Sequence, residues 1–314
     1  MVDYTKLSNT ANDGNNASAS DICDAIVDAS MMQDIAEVAD ATKMLMSDLG
    51  AAILRSEALW YLSSAYTKKF YINEGMATLI FDDEYYAQKF VDGHSSLQLT
   101  IHKVEQSGFK RFFSEIYNTG IWAIAYCNEN KSVGLPVEPH FLPTTYNPKS
   151  CQAKEFDKYS SMLMQEIRNE EREYDRKANI VELLKKNVIT QIARAKVYVP
   201  INAVQNGTST QLVVDIQYGV NLKLVTMRTD DHKVIFPIYT SVDEYRKIPM
   251  NGVNLVLMPL SEFIRVVKSS IDRDPSVFGI VSNPGSVSFM MSKPILDLYL
   301  EQESMIKQIE NTNG

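Results

Sequence analysis

The sequence predicts an α+β protein with two repeated units, each an antiparallel sheet flanked by helices, joined by charged helices. Apolar and polar residues alternate in short runs such as 97–101, a spacing typical of half-buried strands. Apolar residues recur at spacings of three and four within 109–117 and 260–271, which is typical of amphipathic helices. The order strand, short helix, strand, amphipathic helix, strand occurs twice, which indicates a repeat.

The first unit is predicted to follow a flexible tail. Residues 1–20 are rich in Asn, Ser, Ala and Asp without an apolar period, so we expect a disordered tail there. Residues 21–131 hold the leading helices and the first sheet unit. Within them the runs LWYL and ATLIF favour a hairpin, and the segment from Phe109 to Tyr117 favours a helix that Gly120 ends.

The middle of the chain is predicted to be a linker. Residues 132–194 begin with closely spaced prolines, which disfavour regular helix and central strand, and continue as charged helices. Residues 195–314 form the second unit and end in a helix. Its first four strands follow one another closely, as in an antiparallel meander: 197–201, 211–218, 222–227 and 234–240.

Details within the two units support the repeat. Ser241 and Glu244 have the spacing of a capping box, and Asp82 or Asp83 is the corresponding cap in the first unit. The repeat aligns Leu97 and Leu99 with Leu255 and Leu257. It also aligns Gly120-Ile121 with Gly279-Ile280. The first copy is shorter, so we expect it to lack one hairpin.

The second half resembles the N-terminal domain of the SseB (enhanced serine sensitivity) family of bacterial proteins. The resemblance rests on four segments in order across residues 195–293: VYVP, FPIYTSVDEY, LVLMPLSEF and FGIVSNPG. It implies an antiparallel sheet flanked by helices, in a largely uncharacterised family without established catalytic residues. Residues 59–127 look like a diverged, shortened second copy, so the chain is expected to be a tandem repeat.

Composition and motifs exclude several classes of function. A net charge of −8 opposes binding to a phosphate backbone, and no apolar run is long enough for a membrane span. Three scattered cysteines do not make a disulfide framework, so we expect a reduced, cytoplasmic protein. No metal-ligand spacing, phosphate-binding loop or serine elbow occurs. We therefore expect no catalytic residues, no metal and no cofactor.

Two segments are candidate interaction sites. The first joins the end of one strand to a turn on another: Tyr239, Thr240, Ser241, Asn283, Pro284 and Gly285. It is either a tight turn or a loop that exposes backbone groups for recognition. The second is the acidic face of the first helix, with Asp24, Asp28 and Asp34, which is either solvated or docks a basic partner.

These observations favour a non-catalytic protein-interaction or regulatory module. Its expected partner is an unidentified protein or a second copy of the chain, without nucleic acid and without membrane insertion. A small-ligand-binding domain is the alternative, with a pocket lined by Tyr239, Thr240 and Asn283. An unrecognised hydrolase is a third, more distant alternative.

Overall fold

The computed structural model of the protein describes most of the chain, with gaps. The described residues are 17–30, 36–129, 131–138, 141–142, 153–170, 172–202, 213 and 223–312, with the backbone alone at 36–41 and 305–312. Of the predicted tail, only its last four residues fall within this set, and helix begins at Ala19. The predicted strand 211–218 lies outside it except for Val213.

Within its described residues the first unit contains a five-stranded sheet and four α-helices. Its helices are α1 (Ala19–Ser30), α2 (Ala36–Arg55), α3 (Glu84–Gly93) and α4 (Phe109–Asn118). Its strands are β1 (Ala58–Ser64), β2 (Ala77–Phe81), β3 (Leu99–Glu105), β4 (Ala123–Asn128) and β5 (Lys131–Pro136). The strand order is β3-β1-β2-β4-β5, and the predicted hairpin of β1 and β2 is confirmed as an antiparallel pair.

The second unit begins with the two charged helices. Its helices are α5 (Lys154–Ile167), α6 (Tyr174–Ile192), α7 (Val242–Lys247), α8 (Leu260–Arg273) and α9 (Lys293–Thr312). Its strands are β6 (Lys196–Asn202), β7 (Met227–Arg228), β8 (Val234–Ile238), β9 (Val253–Pro259), β10 (Val277–Ser282) and β11 (Phe289–Ser292). Two backbone hydrogen bonds between Tyr198 and Tyr239 connect β6 to the end of β8.

The two units share one strand order. In the second unit a four-stranded sheet, β11-β10-β8-β7, and a two-stranded sheet, β6-β9, meet at the bridge between Tyr198 and Tyr239, which gives the order β9-β6-β8-β10-β11 with β7 paired to the start of β8. β7 and the segment before it are the extra part of this unit. The repeated order of strands and helices predicted from the sequence is therefore confirmed, and the fold is α+β with a sheet in each unit.

One strand pair in each unit departs from the expected antiparallel arrangement. β2 and β4 are parallel, and so are β8 and β10. Each of these connections contains two helices and a strand, which is long enough to return the chain to the same end of the sheet. The prediction of a meander is also wrong for β6. In a meander each strand lies beside the next one in the chain, but β6 lies between β8 and β9.

Pairing registers correct the alignment of the two units. Trp60 of β1 pairs with Phe81 of β2 on one side and with Lys103 of β3 on the other. In the same way Tyr198 of β6 bridges Tyr239 on one side and pairs with Leu257 of β9 on the other. Lys103 is thus equivalent to Leu257. By the same registers Ile101 is equivalent to Leu255, and Ala123 to Gly279. The sequence alignment through Leu97 and Gly120 was wrong by a few residues, because apolar patterns of period two match at several offsets.

The division between the units differs from the predicted one. The chain separates into Met1–Pro148 with Asn169–Glu171, and Lys149–Arg168 with Arg172–Gly314. β5 completes the first sheet beyond the expected end at residue 131. The expected linker helices belong to the second unit because their apolar faces pack into its core, through Phe156 and Leu163 on α5 and Leu184, Val188 and Ile192 on α6.

The amphipathic helices bury the predicted faces. Every apolar residue of the α4 stripe is buried, as are those of the α8 stripe, which include Phe263 and Ile264. Among the described residues, no helix combines the length and apolar character that crossing a bilayer requires.

Candidate interaction site

The strand ends of β8 and β10 bring the predicted site residues of the second unit together. The two strands are parallel, so their carboxyl ends meet at one edge of the sheet. We call this group the Asn283 corner; it consists of Tyr239, Thr240, Ser241, Asn283, Pro284 and Gly285. Three additional residues contact it: the Asp157 carboxylate accepts from Asn283, the backbone N–H of Glu244 donates to Ser241, and the Ser286 hydroxyl donates to the carbonyl of Asn283.

The side chain of Asn283 is fully buried and bonded at both ends. Its amide nitrogen donates to Oδ1 of Asp157 at 2.7 Å and to the hydroxyl of Thr240 at 2.8 Å. Its amide oxygen accepts from the backbone N–H of Thr240 at 2.9 Å. Because a buried amide and a buried carboxylate each need partners, this arrangement satisfies both while it fastens α5 to the strand ends.

The backbone of the turn is also occupied. Asn283 has φ +49°, a left-handed conformation that asparagine tolerates better than most residues. Its N–H donates to the carbonyl of Ile238, and its carbonyl accepts from Ser286 and Ser288. The expectation that the turn exposes its backbone groups is wrong at Asn283, and both Asn283 and Pro284 are buried. Gly285 is exposed.

Helix α7 is capped as predicted and is tied to the turn. The Ser241 hydroxyl accepts from the backbone N–H of Glu244 at 3.2 Å. The Glu244 carboxylate accepts from the Ser286 hydroxyl at 2.6 Å and from the Lys247 ammonium at 2.7 Å. In the first unit Asp83 is the cap, accepting from the N–H of Tyr85.

Tyr239 is a core residue of the corner. It is fully buried and its ring meets that of Tyr245 edge-on, with centroids 5.2 Å apart. Burial, and secondarily the neighbouring Tyr245, raises the pKa of Tyr239 to about 12. The phenol is therefore protonated at neutral pH, and its ring packs against that of Tyr245.

The first unit carries a related arrangement at the end of β4. The amide nitrogen of Asn128 donates to Oδ1 of Asp24 at 3.1 Å and to the Ser20 hydroxyl at 2.7 Å. Its amide oxygen accepts from the Cys23 thiol at 3.8 Å. In both units, therefore, an asparagine at the end of a strand, β4 in the first unit and β10 in the second, binds an aspartate on the first described helix of that unit.

A half-buried acid, Asp82, follows β2. The Tyr126 hydroxyl donates to Oδ2 of Asp82 at 2.5 Å, and burial raises the pKa of Asp82 above its ordinary value. Burial also raises the pKa values of Cys23 and Cys127 to about 12, so both thiols are protonated at neutral pH. Cys127 itself is half-buried on β4.

The acidic face of α1 is partly neutralised within its own unit. Lys131 of β5 lies 3.2 Å from a carboxylate oxygen of Asp24 and 3.6 Å from one of Asp28. Asp34, the third predicted acid, lies outside the described residues. Asp24 and Asp28 are half-buried, so they serve the unit's own packing before any basic partner.

Sequence reasoning did not single out Asp157. The available signal was a carboxylate followed by Ser160 and Ser161, three and four positions later, between the apolar residues Phe156 and Leu163. Asp157 and both serines are buried. Polar side chains that a helix buries beside its apolar face need hydrogen-bonding partners, and other segments of the chain supply them.

A comparison with protein families places the second unit. Residues 177–294 match the SseB protein N-terminal domain. The resemblance predicted for residues 195–293 is thereby confirmed. The SseB match starts within α6, ends at the start of α9 and includes the Asn283 corner; it covers less than half of the chain. No curated protein and no solved structure matches the chain.

Within the described part of the chain, no group of three or more His, Cys, Asp or Glu side chains is arranged to hold a metal ion.

Proposed function

We propose that this protein is a non-catalytic interaction or regulatory module of the bacterial cytoplasm, built from two tandem SseB-like units of which the first is diverged and shortened. The observation that carries this proposal is the use of polar residues at the strand ends. In both units an asparagine there fastens the leading helix to the sheet. Such residues stabilise a scaffold, and scaffolds of this kind present their surfaces to partners.

Exposed aromatic residues of the first unit support an interaction role. Tyr85 is 66% exposed at the start of α3, and Trp122 is 45% exposed just before β4. Aromatic side chains of this kind are enriched at protein interfaces, where they bury a large area at low entropic cost. We expect a protein partner, or a second copy of the chain, to cover them.

Affinity capture from native bacterial lysate tests the proposal. The full chain is compared with the double variant Tyr85→Ser and Trp122→Ser, and with Val266→Ser as a matched exposed change in the second unit. We expect reproducible protein partners that the double variant loses and the Val266 variant keeps. The absence of any reproducible partner, with the chain monomeric by sedimentation, would contradict an interaction module.

A small-ligand-binding domain is the second candidate. The hydroxyls of Ser160 and Ser282 are buried and meet no hydrogen-bonding partner within the described residues. A bound polar molecule would supply one. Native mass spectrometry of the purified chain tests this reading: a retained metabolite that is lost in Ser160→Ala and Ser282→Ala would favour ligand binding over the interaction module.

A further inference from the structure

Strand β3 lies at one edge of the first sheet and directs backbone groups outward. Its antiparallel pairing with β1 is flanked by hydrogen bonds from Gln106 N–H to the Glu57 carbonyl and from Ala65 N–H to the Gln98 carbonyl. Bonded residues alternate in such a ladder, so the even-numbered residues of β3 bond to β1. The N–H and C=O groups of Leu99, Ile101 and Lys103 therefore point away from the sheet.

The equivalent edge in the second unit is in use. The hydrogen bond from Leu260 N–H to the Ala195 carbonyl fixes the same alternation in the pairing of β6 and β9. Leu255 thus directs its backbone away from β6, and it forms a parallel bridge with Val213. Val213 is thus the described residue that meets this edge of the second sheet.

The two edges correspond residue by residue. Ile101 is equivalent to Leu255 and Lys103 to Leu257, from their registers against β1 and β6. No described residue bridges the outward side of Ile101 in the way that Val213 bridges Leu255. The first unit therefore offers the edge at which the second unit forms its bridge with Val213. An exposed strand edge is a template for pairing with another chain.

The charge beside this edge indicates the chemistry of a partner. Lys103 forms an ion pair with Glu105, and both side chains are half-exposed or more. Exposed pairs of this kind contribute only about 0.2 to 1 kcal/mol, so Lys103 can exchange one carboxylate for another. In the sequence, Val213 is followed two positions later by Asp215. A parallel segment with this pattern beside Ile101 would bring its acidic residue next to Lys103.

We propose that β3 binds an extended peptide segment of a partner protein, parallel to β3, with a β-branched apolar residue beside Ile101 and an acidic residue two positions later beside Lys103. This inference rests on the proposed interaction function and names its surface. Affinity comes from backbone hydrogen bonds to Leu99, Ile101 and Lys103. Specificity comes from the apolar contact at Ile101 and the charge of Lys103.

The first test removes a backbone donor. The probe is a fluorescent peptide with the sequence of residues 209–218, STQLVVDIQY, titrated against the full chain by fluorescence anisotropy. Ile101→Pro deletes the outward N–H and is expected to weaken binding by about tenfold or more. Ile101→Val keeps that N–H and most of the apolar area, so its affinity should stay within about twofold of wild type. Circular dichroism and thermal unfolding check that both variants fold.

A charge exchange gives a second test that does not depend on proline. Lys103→Glu is a surface change that should weaken binding of this peptide by about fivefold. The same variant should bind a second peptide, carrying Asp215→Lys, more tightly than wild type binds it. This reversal of preference locates the acidic residue of the peptide beside Lys103.

Three results would overturn the site. The first is the absence of peptide binding to the wild-type chain. The second is equal peptide binding by Ile101→Pro, which would place the peptide at another edge. The third is concentration-dependent self-association that Ile101→Pro abolishes, which would assign β3 to a second copy of the chain. Partners captured from lysate that Ile101→Pro retains would also overturn the β3 site while leaving the interaction module intact. Failure of the module itself would instead appear as no captured partner with wild type.

Discussion

The side-chain amide of Asn283 lies 2.7 Å from a carboxylate oxygen of Asp157, although 126 positions separate the two residues in the chain. Both are buried, and the contact holds the first helix of the second unit against the ends of two parallel strands. Asn128 and Asp24 form the related contact in the first unit, at 3.1 Å. This shared arrangement links the fold to the proposed role as a scaffold.

Asn283→Asp is expected to destabilise the second unit strongly at neutral pH. The variant keeps the shape of the side chain but places a second carboxylate against the buried Asp157. We expect a loss of roughly 3 to 5 kcal/mol in the free energy of unfolding at pH 7. Repulsion raises the pKa of the pair in the folded state, so the folded variant binds more protons and its deficit relative to wild type grows as pH rises. Urea unfolding at pH 4.5 and 7.5 measures this.

The exposed substitution Asn251→Asp is the control for this change. It introduces the same charge in the same unit on an exposed turn residue. A loss for Asn283→Asp no larger than that for Asn251→Asp would show that the contact with Asp157 does not hold the helix.

Phe263→Ala is expected to cost about 3 to 5 kcal/mol of stability. The ring is buried on the inner face of α8, so truncation loses burial and leaves a cavity. Val266 lies on the same helix but is 55% exposed, and Val266→Ala should cost less than about 1 kcal/mol. Chemical denaturation of the two variants compares them; similar losses would mean that α8 buries a different face.

Ser241→Ala is expected to cost about 1 kcal/mol, because the N–H of Glu244 loses its capping acceptor. Ser241→Asp retains an acceptor and should stay close to wild type. The same denaturation experiment measures both. A loss from Ser241→Ala as large as that from Phe263→Ala would contradict this ranking of cap against core.

Gly285→Ala is expected to destabilise the turn by about 1 kcal/mol or more, since Gly285 has φ +87°, where other residues are strained. A Cβ there would also lie 2.1 Å from Cδ1 of Ile248. Removing that atom with Ile248→Ala should relieve the steric part and leave the backbone part. Thermal unfolding of the single and double variants separates the two; full recovery in the double variant would show that φ contributes nothing.

Asp82→Asn is expected to change how stability depends on pH. Burial raises the folded-state pKa of Asp82, so the folded protein holds a proton that the unfolded chain releases. The stability that this proton contributes to the folded state is therefore fully present below the ordinary carboxyl pKa. It is lost as the pH rises through the raised pKa of Asp82 in the folded state. The difference in unfolding free energy between Asp82→Asn and wild type should shift in favour of the variant as pH rises.

Local features were readable from the sequence because they depend on residues within one helical turn or one strand. The apolar stripe of α8 and the cap at Ser241 are set by neighbours three or four positions away. The match to the SseB domain agrees with the order of segments across residues 195–293. The candidate site could be located in part by the same reasoning, since Thr240 and Asn283 each follow a recognisable strand.

The roles of these residues depended on contacts that no local pattern contains. Sequence reasoning placed Asn283 in a turn, but its burial follows from the packing of Asp157 on a helix 126 residues earlier. The pairing of Ile101, on the edge strand β3, with Leu62 of β1 likewise depends on register, and a period-two pattern fits several registers equally well.

The sequence by itself determined most of the helices and strands and their order along the chain, because helix and strand periods are properties of adjacent residues. Tertiary structure decided that β2 pairs with β4 and β8 with β10 in parallel, and it decided which polar groups face inward. The physical reason is that a buried amide or carboxylate is stable only where a distant segment supplies its hydrogen-bonding partner. The structural roles of Asn128 and Asn283 depend on contacts that only the folded chain provides. The same holds for the edge of β3, which is the proposed binding surface.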